Sequence, residues 1–326
     1  MSDNDRPDNG LDAEDPRDIE PEFDGHLHPA KGTSEHQSFL KLTRELASLP
    51  FEQSAAALET GAAIAGISLR AGIEFLRAAP AATEVLQPAE LRSWGELGRR
   101  LAMGDVETAI TFFSEGVTGL KDVPASVHPL VFQLCSRQIT LSSPIAIETL
   151  RNLPTLAKDL GDDELLSAAL EVAAEIARRS AKHSAEFLSR TPEVIERLKR
   201  IKNPEVTAKG IALAAEFAAR AGGIAADAWT ALPSALAKLE STEALKLLDN
   251  TVGFLERGGG SAVQILITGG EILRTLPEIF DEWVKLLWTV AQHGNASLIA
   301  FVRSSPRFVR SLVGEMDHAR LADLAL

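Results

Sequence analysis

The chain has 326 residues, 45% of them hydrophobic and 5% aromatic, with no tyrosine, one cysteine and a net charge of −13. A single cysteine excludes a disulfide framework within the chain, and an excess of acid over base argues against a nucleic-acid ligand. No run of eighteen apolar residues occurs; the longest uncharged stretch, 286–302, is interrupted by Gln292, His293, Gly294 and Asn295, so no transmembrane helix is expected.

Residues 1–36 carry eleven acidic residues against three basic ones and few apolar ones, which predicts a disordered acidic tail. The opening, MSDNDRPDNG, is acidic rather than apolar and does not read as a secretory signal; a cytoplasmic location is the expectation. Residues 37–50 predict an opening helix, ended by Pro50. From there a repeating unit takes over, near 51–86, 91–123, 130–160, 162–201, 203–239, 243–276 and 280–312, and residues 313–326 predict a C-terminal capping helix.

The repeat rests on four columns. A knob position reads Leu76, Phe113, Leu150, Leu188, Trp229, Leu266 and Val302, at steps of 37, 37, 38, 41, 37 and 36 residues. Twelve residues earlier stand Ile64, Leu101, Gln138, Ile176, Phe217, Phe254 and Val290; Ile139 is expected to take over packing where Gln138 intrudes. Ten residues after the knob stand Leu86, Val123, Leu160, Leu198, Leu239, Leu276 and Leu312. Four residues after it stand Pro80, Val117, Pro154, Pro192, Pro233, Gly270 and Pro306. Apolar residues recur at three- and four-residue steps within each unit, which predicts helices, and no alternating stretch predicts a strand.

A proline removes an amide and crowds the preceding turn, so each unit reads as a helix hairpin followed by a short, proline-started third helix. Gly104 is expected to take a positive φ and Asp105 to cap the following helix. One such unit cannot bury its apolar face alone, whereas stacked units can. The expected fold is therefore all-α with no sheet: an α-solenoid of about seven ~37-residue helical hairpins of the HEAT, armadillo or TPR kind.

No constellation of reactive residues emerges. HExxH, paired CxxC, GxGxxG, GxxxxGK[ST] and GxSxG are all absent. Asp24, His26 and His28 make a poor metal site, and Cys135 reads as a small buried hydrophobe. Arg197, Lys199, Arg200 and Lys202 read as a solvated helix end, because no aromatic interleaves them to stack on bases. Gly258, Gly259, Gly260 and Ser261 read as an inter-helix turn. His128, His183, His293 and His318 are scattered among units, with His183 and His293 expected on a surface ridge. No catalytic, cofactor-binding or metal-binding residue is assigned, no cofactor is expected, and the chain is not expected to be an enzyme.

Residues 91–113, LRSWGELGRRLAMGDVETAITFF, and 173–198, AAEIARRSAKHSAEFLSRTPEVIERL, resemble the helical repeats that precede the von Willebrand factor A domain in proteins of the NorD and CbbO type, which activate nitric oxide reductase and Rubisco. The resemblance spans about 51–312. It implies a scaffold that works beside a hexameric MoxR-class AAA+ ATPase to remodel a target enzyme. The DxSxS metal motif of the A domain is absent, so no metal ligand carries over.

The expected function is accordingly a protein-binding helical-repeat scaffold or adaptor, one version of which recognises a target for a MoxR-type ATPase or binds an A-domain protein. The alternatives are a peripheral membrane or lipid-associated helical protein and a truncated A-domain protein. Apolar terminal faces would also let copies of the chain associate.

Overall fold

A computed structural model describes residues 34–305, 307 and 311. Among them there is no strand; the chain is a succession of helices joined by tight turns.

Two layers are built from these helices. The first layer contains α2 (Phe51–Ala65), α4 (Pro88–Gly104), α6 (His128–Leu141), α8 (Asp163–Ala177), α10 (Pro204–Ala221), α12 (Ser241–Gly258) and α14 (Phe280–Ala291). The second contains α1 (Ser34–Leu46), α3 (Leu69–Thr83), α5 (Val106–Lys121), α7 (Ser143–Leu160), α9 (Ala181–Lys199), α11 (Ile224–Leu236) and α13 (Ser261–Thr275), followed by the helical residues 295–305. Each helix packs on its hairpin partner and on the equivalent helix of the next unit, the arrangement of an α-solenoid.

The columns are the core. All seven knobs are buried, at 6% exposure or less. So are six members of the column twelve residues earlier, Val290 alone being half-buried. The column ten residues later is buried from Leu86 to Leu276, and Leu312 lies outside the described residues. Close packing comes from small residues on the first helix. A Cβ at Gly61 would meet the Leu76 side chain and one at Gly98 would overlap the Phe113 ring, so these two knobs seat directly against the backbone of their own first helices. By register, Cys135 holds that seat for Leu150 and Ala173 holds it for Leu188.

The seat at Gly98 admits the largest cluster. The rings of Phe75, Trp94, Phe112 and Phe113 meet with centroids 5.2 to 6.1 Å apart, mostly edge-on or tilted. Gln138 is itself fully buried; its amide donates to the Ser184 hydroxyl at 3.3 Å, which donates to the Ala173 carbonyl at 2.9 Å. Ile139 stays half-buried, so it does not replace Gln138.

Three expectations need correction. The expected third helix does not exist at Pro80, Pro154, Pro192 or Pro233; all four lie inside continuous second helices. A proline four residues after the knob deprives only the knob's carbonyl of its donor, and neighbouring packing absorbs that loss. In α7 the freed Leu150 carbonyl is approached by Gly119 of α5, where a Cβ would collide with it. Gly104 closes α4 without a positive φ, while Asp105, extended at φ −152, caps α5 by accepting from the Glu107 amide at 3.1 Å.

The third correction concerns the N-terminus. Ser34, Glu35 and His36, expected in the disordered tail, are the first residues of α1, which ends at Leu46 rather than Pro50. The α1 helix packs on α3 as a second-layer helix. Phe39 stands 37 residues before Leu76 and Leu49 stands 37 before Leu86, so α1 continues the columns upstream. Residues 1–33 and the expected capping helix at 313–326 lie outside the described residues.

The seat makes a specific demand. Gly98→Ala forces the Phe113 ring to move and is expected to cost about 1–3 kcal/mol, the usual range for overpacking. Adding Phe113→Leu, which recreates the small-residue and leucine pairing of the third and fourth units, should recover more than half of that loss in urea-unfolding midpoints followed by circular dichroism.

Candidate functional site

The second layer is stitched between units by side chains at repeat spacing. Arg70 of α3 pairs with Glu107 of α5 at 2.6 Å. Arg151 of α7 pairs with Glu115 of α5, and that hydrogen bond holds the Glu115 carboxyl below the ordinary carboxylate range. This clamp is present at neutral pH and fades as pH falls through the lowered value. Between α9 and α11 the Trp229 indole donates to the Thr191 hydroxyl at 3.2 Å. Between α11 and α13, Arg274 donates to the carbonyls of Ser234, Ala235 and Ala237 at 2.9 to 3.3 Å, serving the unpartnered end of α11.

The seam between α7 and α9 has no such stitch: no hydrogen bond or ion pair joins these helices among the described residues. Register explains it. The clamp residues Glu115 and Arg151 lie two and one positions after their knobs; at the next seam those positions hold Asn152 and Ser189, too short and uncharged to reach across. The first layer remains fastened beside it, because Arg137 of α6 donates to the Ala174 carbonyl of α8 and pairs with Glu175 at 3.3 Å. One layer held and the other unstitched leaves a wedge.

That wedge is a cleft of about 750 Å³, within the usual range for ligand sites. Leu153, Leu156, Leu188 and Pro192 form its apolar floor. Exposed Glu148, Asn152 and Asp159 rise from α7, facing Lys182, Glu186 and Arg190 from α9. Glu148 and Glu186 both lie two residues before their knobs and therefore stand at the same level across the cleft.

Two polar groups on the lining lack their usual partners. Thr149, 6% exposed, has a hydroxyl with no hydrogen bond. Thr191 and Thr251, also buried in helices, donate to the carbonyl four residues back, a bond that Thr149 does not make. Pro192 has no amide to offer the Leu188 carbonyl. The lining thus combines a buried hydroxyl without a partner and a carbonyl denied its helical donor with apolar side chains.

The residues singled out in the sequence lie elsewhere. Cys135 is fully buried, and burial pushes its thiol up to about 12, so it is a packing residue at neutral pH. Arg197 and Arg200 pair with Glu193 and Glu196 of their own helix at 2.6 Å, and exposed Lys199 and Lys202 flank them. Gly259, at φ +49, turns the chain between α12 and α13. His128 is buried with its Nδ1 3.6 Å from Glu90 and neither nitrogen hydrogen-bonded. His293 is exposed, but His183 is half-buried against Gly223, so the two do not form the expected ridge. Asp24, His26, His28 and His318 lie outside the described residues.

Among the described residues no cluster of histidine, cysteine or carboxylate side chains has the geometry to hold a metal ion. No helix among them is long and apolar enough to cross a membrane. Sequence reasoning missed the cleft; the signal available was the loss of the Glu115 and Arg151 pattern at Asn152 and Ser189. No protein-family model matches this chain, and no curated protein matches it.

An unpartnered buried hydroxyl is destabilising, so Thr149→Val should raise unfolding stability by about 1 kcal/mol. A urea titration showing the opposite sign would mean that the hydroxyl has a partner in the folded chain.

Proposed function

We propose that this protein is a helical-repeat scaffold that binds another protein. The observation that carries the reading is the unstitched seam between α7 and α9. Every neighbouring second-layer seam from α3 to α13 is closed by side chains at repeat spacing, and this one presents apolar floor, charged rim and unsatisfied polar groups instead. A buried unsatisfied group costs stability, and a bound partner that supplies the missing hydrogen bond offsets that cost. Solenoids present extended surfaces of this kind to protein partners.

A finer version has the bound protein delivered to a MoxR-type AAA+ ATPase. Its support is the resemblance of residues 91–113 and 173–198 to the NorD and CbbO repeats. Attachment to an anionic bilayer is disfavoured by the net charge of −13.

Affinity purification of the tagged full chain from its own cells, with mass spectrometry, tests both versions. The scaffold reading predicts one stoichiometric protein partner, and a chain recovered alone refutes it. The finer version also predicts a MoxR-type ATPase among the captured proteins, and a stoichiometric partner recovered without one refutes that version only.

A further inference from the structure

The chemistry of the cleft narrows what it holds. The two glutamates on opposite walls of the cleft, Glu148 and Glu186, occupy one register position on neighbouring second helices, and neither is in an ion pair among the described residues. The equivalent carboxylate of the first unit, Glu74, is satisfied by Arg77 of its own helix. The cations nearby close no ion pair with these glutamates among the described residues, although Arg151, three residues after Glu148, interacts with it electrostatically. Arg190 lies 3.9 Å from Glu193, and Lys182 and Arg190 stand one helical turn to either side of Glu186 without closing an ion pair with it. The middle of the cleft thus holds two carboxylates outside any ion pair among the described residues, with Asp159 adding a third toward its far end.

Its shape suits a chain rather than a compact molecule. From Glu148 to Asp159 the cleft follows α7 for eleven residues, roughly 17 Å at the helical rise. That length accommodates about five residues of extended polypeptide. An extended backbone carries both donors and acceptors, the complement of the two orphan groups here. The Leu188 carbonyl, denied a donor by Pro192, can accept from a peptide N–H, and the Thr149 hydroxyl can donate to a peptide carbonyl.

We infer that the α7/α9 cleft binds an extended segment of a partner protein through a lysine or arginine whose charged head sits between Glu148 and Glu186. This rests on the protein-binding reading above and names what the site selects. The aliphatic stem of the cation lies over Leu153 and Leu188 while its head meets the two carboxylates, which is how long basic side chains distribute themselves at an apolar surface with an acidic rim. A charge-assisted hydrogen bond to each carboxylate fixes register along the cleft.

A display library of random nine-residue peptides, panned on the full chain, tests this. Selected peptides should share a lysine or arginine. Binding of a selected peptide, measured by fluorescence anisotropy, should weaken at least about tenfold in the Glu148→Gln, Glu186→Gln double variant, equivalent to about 1.4 kcal/mol. It should also weaken as salt is raised. Both glutamates are exposed, so the double variant should keep its thermal midpoint. Thr149→Val should weaken the same peptide while raising the midpoint, a pairing that simple damage to the fold would not give. Peptides without a common cation, or affinity unchanged in the double variant, would overturn the inference and leave the scaffold reading standing. A library that yields no binder, from a chain that captures a partner in its own cells, overturns the cleft assignment alone; failure of both removes the scaffold reading as well.

Discussion

The first two units depend on one contact: a bulky knob on the second helix seated against the backbone of the first helix of the same unit. At Phe113 the seat is Gly98, and at Leu76 it is Gly61. The contact sets the spacing of the hairpin, and the hairpin spacing sets where the next unit stacks. Apolar burial supplies the driving force, as in any core, but the choice of small residues opposite the knobs decides the register. The prolines four residues after the knobs fit the same logic. They free a carbonyl at the tightest point of the second helix, and Gly119 fills the space beside one such carbonyl rather than the helix breaking.

Stacking by nearest neighbours makes each seam a separate interface, so one seam can differ without unsettling the rest. The first layer carries arginines that reach from one unit to the next. Arg100 bonds Ser136 and Thr140, Arg137 bonds Ala174, and Arg179 bonds Ala219 and Arg220. This series crosses the seam between the third and fourth units, so those units stay aligned. The second layer parts there because Asn152 and Ser189 stand where a glutamate and an arginine close the preceding seam. A surface ion pair contributes little on its own, up to about 1 kcal/mol. Its absence matters through the space it leaves, a cleft lined by Thr149 and Leu188.

The helical class, the repeat period and the columns were legible in the sequence because apolar periodicity and spacing register directly in residue order. The knobs from Leu76 to Val302 are buried, as their spacing predicts. The local chemistry of breaks was read less well. A proline such as Pro192 signals a helix end in isolation, yet here tertiary packing carries α9 through it to Lys199. The place of α1 in the stack was hidden because Phe39 and Leu49 extend their columns upstream while Thr43 stands where most units carry a proline. The cleft was illegible for a different reason. It is defined by a pairing that is missing at Asn152 and Ser189, and a missing pair becomes visible only once the structure shows which positions face each other across a seam. The inter-unit arginines escaped for the same reason, since an arginine near a helix end reads as solvated until its carbonyl partners are seen.

The account stands on the claim that the open α7/α9 seam is where a partner binds. Installing the missing clamp tests it most directly. The variant Asn152→Glu with Ser189→Arg copies the Glu115 and Arg151 pairing onto this seam at two exposed positions. The measurement is partner capture by the full-length variant beside the unaltered chain, with circular dichroism to verify the fold. The account predicts an intact helical fold and loss of the partner. A folded variant that shows the new ion pair in a crystal structure and still captures its partner at the original level would contradict it.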